Sequence, residues 1–196
     1  EFVGRRGLDA SRPILALVPG SRMGEIRNNL PVMDEVARRF PGLQAVIAGA
    51  PGIDNDVYGN YSDFPVVSGA TFELVRNASC ALVTSGTATL ETALLGTPQV
   101  VCYRGSGSKV FYNIMKRVIK CPFVSLPNLI AGEEVVPEML MHLCNTESVA
   151  ARLAGIVPGA SGRDEMLRGY ARMRERLGSS TAALTAATAI LADLRG

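Results

Sequence analysis

The sequence is poor in the residues that build metal and redox sites. Its 196 residues include one histidine, no tryptophan and four cysteines, and the cysteines show no CxxC or other paired spacing: His142, Cys80, Cys102, Cys121 and Cys144. One histidine excludes a metal site built from several histidines. The cysteines are expected to be reduced and mostly buried, in a reducing compartment.

Strong net charge and long apolar runs are also lacking. The net charge of +2 gives no general case for a nucleic-acid partner. No run approaches the ~20 apolar residues of a membrane span. Residues 1–12 are polar and are interpreted as a linker rather than a signal peptide. With 47% hydrophobic and 19% charged residues, the chain has enough material for one large domain, or a domain with an appendage.

Short apolar runs alternate with helical patterns along most of the chain. The runs that predict buried strands lie at residues 13–18, 43–48, 64–67, 80–83 and 99–103, with a last short one at 123–125. Helices are predicted at residues 26–40, 71–76, 88–95, 110–119, 136–143, 146–154, 163–177 and 180–194, and a loop at 126–132. This alternation is typical of an α/β fold with a parallel, doubly wound sheet.

The stretch Ser85-Gly86-Thr87 lies where a predicted strand turns into a predicted helix. The carboxyl end of a strand is where an open α/β sheet binds its ligand, and the amino end of a helix favours an anion, typically phosphate. Glu91 follows Thr87 by one helical turn and could accept hydrogen bonds from a diol such as ribose. The alternative is a capped helix that binds nothing, with Glu91 as a solvated first-turn acid.

A second junction of this kind lies at Gly20-Ser21-Arg22, after the first predicted strand. A guanidinium there can fork onto a phosphate, although Arg22 could equally be a surface residue on a turn. Together, the two junctions at adjacent strand ends describe a diphosphate-sized site with Glu91 placed for a sugar diol. GxxxxGK[ST] and GxGxxG are both absent, which argues against a P-loop NTPase and against NAD or FAD binding.

Other polar residues are weaker candidates. Asn128, in an otherwise apolar loop, is either a turn-former or a side chain aimed into the cleft. His142 is expected on a helix surface, and Glu138 is expected to be a first-turn helix acid. The basic stretch 109–120 could touch a membrane surface, or it could be a core-packed helix with a solvated rim.

Three stretches resemble the carboxyl-terminal half of lipid-A-disaccharide synthases: LVPGSRMGEIRNNLPVM (17–33), SGTATLETALLGTPQVVCYR (85–104) and VSLPNLIAGEEVVPEML (124–140). The resemblance covers residue 13 to about 194. It implies a Rossmann-like doubly wound sheet, the C-terminal domain of a GT-B glycosyltransferase, at residues 13–160. Residues 161–196 would be C-terminal helices that pack on this domain or towards an N-terminal domain outside this sequence.

The implied reaction transfers 2,3-diacylglucosamine from UDP to 2,3-diacylglucosamine 1-phosphate and forms the β-1,6 disaccharide with inversion. The resemblance implies catalytic roles for Arg22, at the donor diphosphate, and for Asn128, facing the cleft. It implies donor binding by Gly20, Ser21, Arg22, Glu25, Ser85, Gly86, Thr87 and Glu91, with Glu25 holding the first loop and Glu91 taking the ribose hydroxyls. The general base is expected in the N-terminal domain, and no cofactor or metal is expected.

The implied partners are the UDP-sugar donor, the acylated glucosamine phosphate acceptor, the N-terminal domain and a membrane surface. The implied location is cytoplasmic, peripheral on the inner face of the bacterial inner membrane. The 196 residues by themselves are expected to bind UDP and to transfer no sugar. The predicted helix at 180–194 could drive self-association. The alternatives are another GT-B nucleotide-sugar enzyme, such as the peptidoglycan glucosaminyltransferase or a UDP-N-acetylglucosamine 2-epimerase, and a non-catalytic nucleotide-binding module.

Overall fold

The computed structural model describes residues 2–104 and 123–178. Within them, six strands form one sheet: β1 (Ile14–Val18), β2 (Gln44–Gly49), β3 (Val66–Ser68), β4 (Cys80–Thr84), β5 (Gln99–Tyr103) and β6 (Glu138–Leu140). The strand order is β3-β2-β1-β4-β5-β6, and every neighbouring pair is parallel. The predicted doubly wound sheet is therefore confirmed, and its strand order reverses between β1 and β4.

Helices cover both faces of the sheet. They are α1 (Phe2–Arg5), α2 (Met23–Arg38), α3 (Asn55–Gly59), α4 (Thr71–Asn77), α5 (Thr87–Leu95), α6 (Leu126–Ala131), α7 (Thr146–Ala154) and α8 (Gly162–Leu177), with a 3-10 turn at Met141–Leu143. All five residues of β1 are buried. Alternate side chains of this strand belong to different apolar clusters, Leu15 and Leu17 to one and Ile14 and Ala16 to the other. Burial on both sides explains why the central strands read as unbroken apolar runs.

The segment before and including β6 differs from the prediction. Residues 126–132, expected to form a loop, contain helix α6, which has Pro127 in its first turn and ends at Gly132 in the left-handed conformation (φ 67°). The predictions of a strand at 123–125 and of a helix over 136–143 were wrong, because the last strand is β6 and the 3-10 turn follows it. A three-residue strand is too short to show an alternating pattern, so its apolar residues resembled a helical face.

The remaining expectations concern residues 1–12, segments that the structure does not describe, and membrane spans. Within residues 1–12, interpreted as a linker, α1 buries Phe2 in the same apolar cluster as Ile14 and Leu74. The predicted helices at 110–119 and 180–194 lie outside the described residues, as does Cys121. None of the helices that the structure describes is long and apolar enough to cross a membrane.

Candidate functional site

The two glycine junctions lie side by side at the carboxyl edge of the sheet. Strands β1 and β4 are parallel neighbours, and Val18 is the register partner of Val83 near the ends of both strands. The loops that follow, at Gly20–Arg22 and Ser85–Gly86, therefore leave the sheet next to each other. The predicted placement of the junctions at adjacent strand ends is confirmed, and the place is the topological switch point where α/β sheets bind ligands.

The first loop is closed by Glu25. Its Oε2 accepts hydrogen bonds from the backbone N–H of Ser21 (2.9 Å) and of Arg22 (3.3 Å). The other oxygen, Oε1, lies 3.7 Å from the guanidinium of Arg22, whose side chain is 83% exposed. Such an exposed ion pair is weak, so the guanidinium is available to an anion at this edge.

Gly20 gives this loop its shape. Its φ of +112° is rarely adopted by residues with a side chain, and a Cβ at this position would lie 2.6 Å from the Cβ of Glu25. The backbone of the loop at Gly20 therefore packs directly against the side chain of Glu25, in the first turn of α2. The contact that holds the loop is of the kind that the resemblance implied for Glu25, while the ligand roles of Gly20, Ser21 and Arg22 stay predictions.

The second loop presents the amino end of α5. Gly86, the residue before the helix, has φ 156° and ψ −164°, a combination found almost only in glycine, and no side chain caps the helix. The first N–H groups of an α-helix have no partner within the helix. Gly86 and Thr87 are exposed and Ser85 is half-buried. Backbone N–H groups, hydroxyl groups and the positive end of the helix dipole therefore meet at one accessible place.

Glu91 lies one turn further along α5, half-buried. It lines a shallow cavity between α4, α5 and the end of β1, together with Val18, Thr71, Phe72, Val75, Ala88, Thr92 and Leu95. Phe72 is 56% exposed. A carboxylate and an exposed aromatic ring therefore share one cavity, adjacent to the amino end of α5.

Asn128 does not face the cleft. It is fully buried, and its side-chain amide donates to the carbonyl oxygen of Val136 (2.8 Å) and to Glu138 Oε1 (2.8 Å). Its Oδ1 accepts from the N–H groups of Val135 (2.7 Å) and Val136 (2.9 Å). Because all of its hydrogen-bonding capacity is used within this segment, the expectation of a cleft-facing side chain is replaced by the turn-forming alternative.

Glu138 and His142 also differ from simple helix residues. Glu138 belongs to β6 rather than to a first helical turn, and its carboxylate accepts hydrogen bonds from the backbone of Val124 and Ser125. His142 is exposed in the 3-10 turn rather than on an α-helix.

Asn29 is a supporting residue that the sequence analysis missed. It is buried on α2, where its side chain donates to the carbonyl oxygen of Glu25 (2.9 Å) and accepts from the N–H of Arg104 (2.8 Å). These bonds join the helix that follows the first loop to the end of β5. The sequence signal for a buried polar residue was the position of this asparagine, four residues after Glu25 and beside the apolar residues Ile26 and Leu30.

The cysteines are buried and reduced where the structure describes them, at positions 80, 102 and 144. Hydrogen bonding between the side chains of Cys102 and Cys144 raises the pKa of Cys102 and lowers that of Cys144. In the described ranges, no three His, Cys, Asp or Glu side chains are grouped so that they could hold a metal ion. Metal-free donor binding stays a prediction.

Comparison with known proteins identifies the family. The family model described as lipid-A-disaccharide synthetase matches residues 3–187. A lipid-A-disaccharide synthase from Myxococcus xanthus (strain DK1622) is 44% identical, over 97% of this chain and 51% of that protein. The lipid-A-disaccharide synthase from Solibacter usitatus (strain Ellin6076) is 35% identical, over 93% and 49%. The chain therefore spans about half the length of the curated relatives it matches.

Solved glycosyltransferase structures share the fold. The calicheamicin glycosyltransferase CalG4 aligns with a TM-score of 0.56 at 14% identity, over 94% of this chain and 42% of that chain. The spinosyn rhamnosyltransferase SpnG, in complex with thymidine diphosphate, aligns with a TM-score of 0.56 at 16% identity, over 85% and 42%. At such low identities the likeness shows the fold alone, that of GT-B glycosyltransferases. The specific match is the one in sequence, and by it the chain belongs to the lipid-A-disaccharide synthase family.

Proposed function

We propose that this chain is the donor-binding half of a lipid-A-disaccharide synthase and that it binds UDP-2,3-diacylglucosamine at the carboxyl edge of its sheet. The observation that carries the proposal is the meeting of the Gly20–Arg22 loop with the amino end of α5, at the switch point between β1 and β4. The family match supplies the reaction class, since the relatives are lipid-A-disaccharide synthases.

The donor diphosphate would lie between the two loops. The exposed guanidinium of Arg22 supplies a forked positive group, and Gly86 and Thr87 supply N–H and hydroxyl donors at the positive end of α5. A nucleoside attached to this diphosphate would extend towards Glu91 and Phe72, which line one small cavity. The carboxylate would accept hydrogen bonds from ribose hydroxyls, and the exposed ring offers an apolar face to the base. SpnG, which shares the fold, has been solved with a nucleoside diphosphate.

In the proposed reaction, a hydroxyl of 2,3-diacylglucosamine 1-phosphate attacks C1 of the donor sugar. The bond from C1 to the diphosphate oxygen breaks, UDP leaves, and C1 is inverted. The hydroxyl proton passes to a base expected in an N-terminal domain outside this sequence. Arg22 and the amino end of α5 stabilise the negative charge that develops on the leaving diphosphate, which is the role that a metal ion has in other transferases.

The acylated substrates place the proposed whole protein at a lipid surface. We assign it to the cytoplasmic inner face of the bacterial inner membrane, with the N-terminal domain and the membrane as its partners. Asn128 is given no contact with the donor in this proposal, because its polar atoms hold the segment between α6 and β6.

Calorimetric titration of this chain with UDP, UMP and ADP tests the proposal. The variants are Arg22→Ala and Glu91→Ala. The controls are Arg27→Ala and Glu175→Ala, which remove the same charges from exposed positions elsewhere. We expect UDP to bind more tightly than UMP or ADP. Each site variant should weaken UDP binding about tenfold, because hydrogen bonds to charged groups are lost. Each control should bind like the wild type.

Circular dichroism on every sample shows whether the chain is folded. A folded wild-type chain that does not bind UDP would overturn the proposal that these residues hold the donor site by themselves. Equal losses in the site variants and in the controls would show a general charge effect instead of the two-loop site.

A further inference from the structure

A chain of hydrogen bonds, most of them buried, leads from the second loop to α8. The hydroxyl of Thr89 donates to the carbonyl oxygen of Gly86 (2.7 Å). The carbonyl oxygen of Thr89 in turn accepts from the side-chain amide of Gln99 (2.9 Å). The same amide donates to the hydroxyl of Tyr170 (3.3 Å), and that hydroxyl donates to the carbonyl oxygen of Thr97 (3.1 Å).

The three side chains in this network are completely buried: Thr89, Gln99 and Tyr170 are each 0% exposed. Buried hydrogen bonds are strengthened by the low local dielectric, and a donor or acceptor left without its partner is costly. The bonds therefore fix the amide NH2 group of Gln99, whereas its Oε1 is buried without a hydrogen-bond partner among the described residues. Burial also raises the pKa of the Tyr170 hydroxyl, which stays protonated and keeps donating to Thr97 throughout the neutral range.

Thr89 connects this network to the candidate donor site. Its hydroxyl fixes the carbonyl group of Gly86, the residue that precedes α5. The proposed donor diphosphate lies at this end of the helix. The carbonyl group of Thr89 itself is fixed by Gln99, at the first residue of β5. A shift of Gln99 would therefore be transmitted through the first turn of α5 to the donors that face the anion.

Helix α8 holds Gln99 and α5 from outside the sheet. Tyr170 accepts one hydrogen of the Gln99 amide, and Met166 Sδ accepts from the backbone N–H of Gln99 (3.3 Å). At the other end of α5, the guanidinium of Arg174 donates to the carbonyl oxygens of Ala93 (2.9 Å) and Leu94 (2.8 Å). Helix α5 is thus held near both of its ends by groups that contact α8.

We propose that Gln99 is a positioning residue of the donor site, which acts through Thr89 on the peptide units of Gly86 and Thr87. This inference rests on the proposed function. Gln99 contacts no part of the donor. It keeps the amino end of α5 in the anion-binding geometry before the donor arrives, so that less ordering free energy is lost on binding.

Three variants test this role by UDP calorimetry on the same chain. Gln99→Met keeps the approximate length and volume of the side chain and removes its amide, Thr89→Val removes the hydroxyl that holds Gly86, and Tyr170→Phe removes the partner of the amide. The control is Val149→Ala, a truncation of a fully buried side chain on α7. All titrations are made well below the Tm of each variant, so that every sample is folded.

We expect Gln99→Met to raise the Kd for UDP about three- to tenfold, the loss of one or two net hydrogen bonds. Tyr170→Phe should raise it less. Val149→Ala should lower the Tm and leave the Kd unchanged. If the role of Gln99 were purely structural, Gln99→Met would give this same result. In the Thr89→Val background, Gln99→Met should have a smaller effect on the Kd than it has alone, because the connection to Gly86 is already lost.

The outcomes separate this inference from the proposed function. If the folded wild type does not bind UDP, both fail. If the wild type binds UDP and needs Arg22, but Gln99→Met binds as tightly as Val149→Ala, the positioning role is wrong and the proposed function stands. Should Gln99→Met not fold, Tyr170→Phe decides, and an unchanged Kd in that variant overturns the inference.

Discussion

The side-chain amide of Asn128 and the carboxylate of Glu138 are joined by a hydrogen bond of 2.8 Å. Glu138 Oε1 also accepts from the hydroxyl (2.6 Å) and the N–H (2.8 Å) of Ser125, the residue before α6. The two side chains therefore close the segment that runs from the start of α6 to the last strand. The family resemblance made Asn128 a candidate catalytic residue, but its contacts give it a structural role in this segment.

Asn128→Ala should destabilise the fold and leave donor binding intact. The change leaves the N–H groups of Val135 and Val136 and the carbonyl oxygen of Val136 without their partner, in a fully buried position. We expect the free energy of unfolding to fall by about 2–4 kcal/mol, measured by urea denaturation. The control is Asn60→Ala, an exposed asparagine with two long bonds of 3.3 Å to α3, which should change stability little. Wild-type stability with lost UDP binding would restore the donor-contacting role.

Gly20→Ala and Gly24→Ala should have opposite effects. A Cβ at Gly20 meets Glu25 and a strained φ of +112°, whereas a Cβ at Gly24 meets nothing within 4 Å, in the first turn of a helix. We expect Gly20→Ala to lower the free energy of unfolding by roughly 1–3 kcal/mol and to weaken UDP binding. Gly24→Ala should raise stability by up to about 1 kcal/mol. Equal Tm values for the two variants would mean that the loop does not need the Gly20 conformation.

The first five strands and the two junctions were predictable because their signals are local. Each strand is a short apolar run with glycine, serine or proline within two residues of its end, and burial on both faces keeps the central runs unbroken. The pairing of β1 with β4 followed from the doubly wound order of such alternating elements, which is why Arg22 and Ser85 were placed at one edge. The family resemblance added the ligand class.

The remaining features depend on contacts that are distant in sequence. Gln99 acquires its meaning from Thr89, 10 residues away, and from Tyr170, 71 residues away. Neither partner is marked by a local pattern. Asn128 was open to two interpretations because residues 136–143, which contain β6, were wrongly predicted to form a helix. The backbone groups that Asn128 binds lie just before this strand. A short strand that relies on buried side-chain hydrogen bonds leaves little periodic signal.

Stability should fall with rising pH above about pH 9, partly because of Cys80. Burial raises the pKa of the Cys80 thiol to about 12 from an ordinary value of 9.0. Above its ordinary pKa, the unfolded chain loses this proton while the folded chain keeps it, so the unfolded state binds fewer protons and stability decreases until the folded thiol also ionises. The slope from this group is at most about 1.4 kcal/mol per pH unit.

Urea unfolding between about pH 8 and pH 11 measures this contribution, because above the ordinary pKa of 9.0 the thiol is charged mainly in the unfolded chain. Cys80→Ala should cost stability at pH 8, because it leaves a cavity, but its stability should decline less steeply as the pH rises. Val149→Ala is the control, a truncation of a buried side chain that removes no ionisable group, and it should keep the slope of the wild type. Parallel pH profiles for the wild type and Cys80→Ala would contradict the assignment.

Arg174→Ala should loosen the carboxyl end of α5, whereas Arg168→Ala on the same helix should not. Arg174 donates to the last carbonyl oxygens of α5, at the negative end of its dipole, while Arg168 pairs with the exposed Glu165 three residues before it. A cation that caps a helix in this way contributes roughly 1 kcal/mol, and an exposed ion pair contributes little. Hydrogen exchange of the α5 amides measures the difference. Faster exchange in Arg174→Ala alone would show that α8 holds α5 through this residue. Equal exchange rates in the two variants would show that α5 is held from the sheet side only.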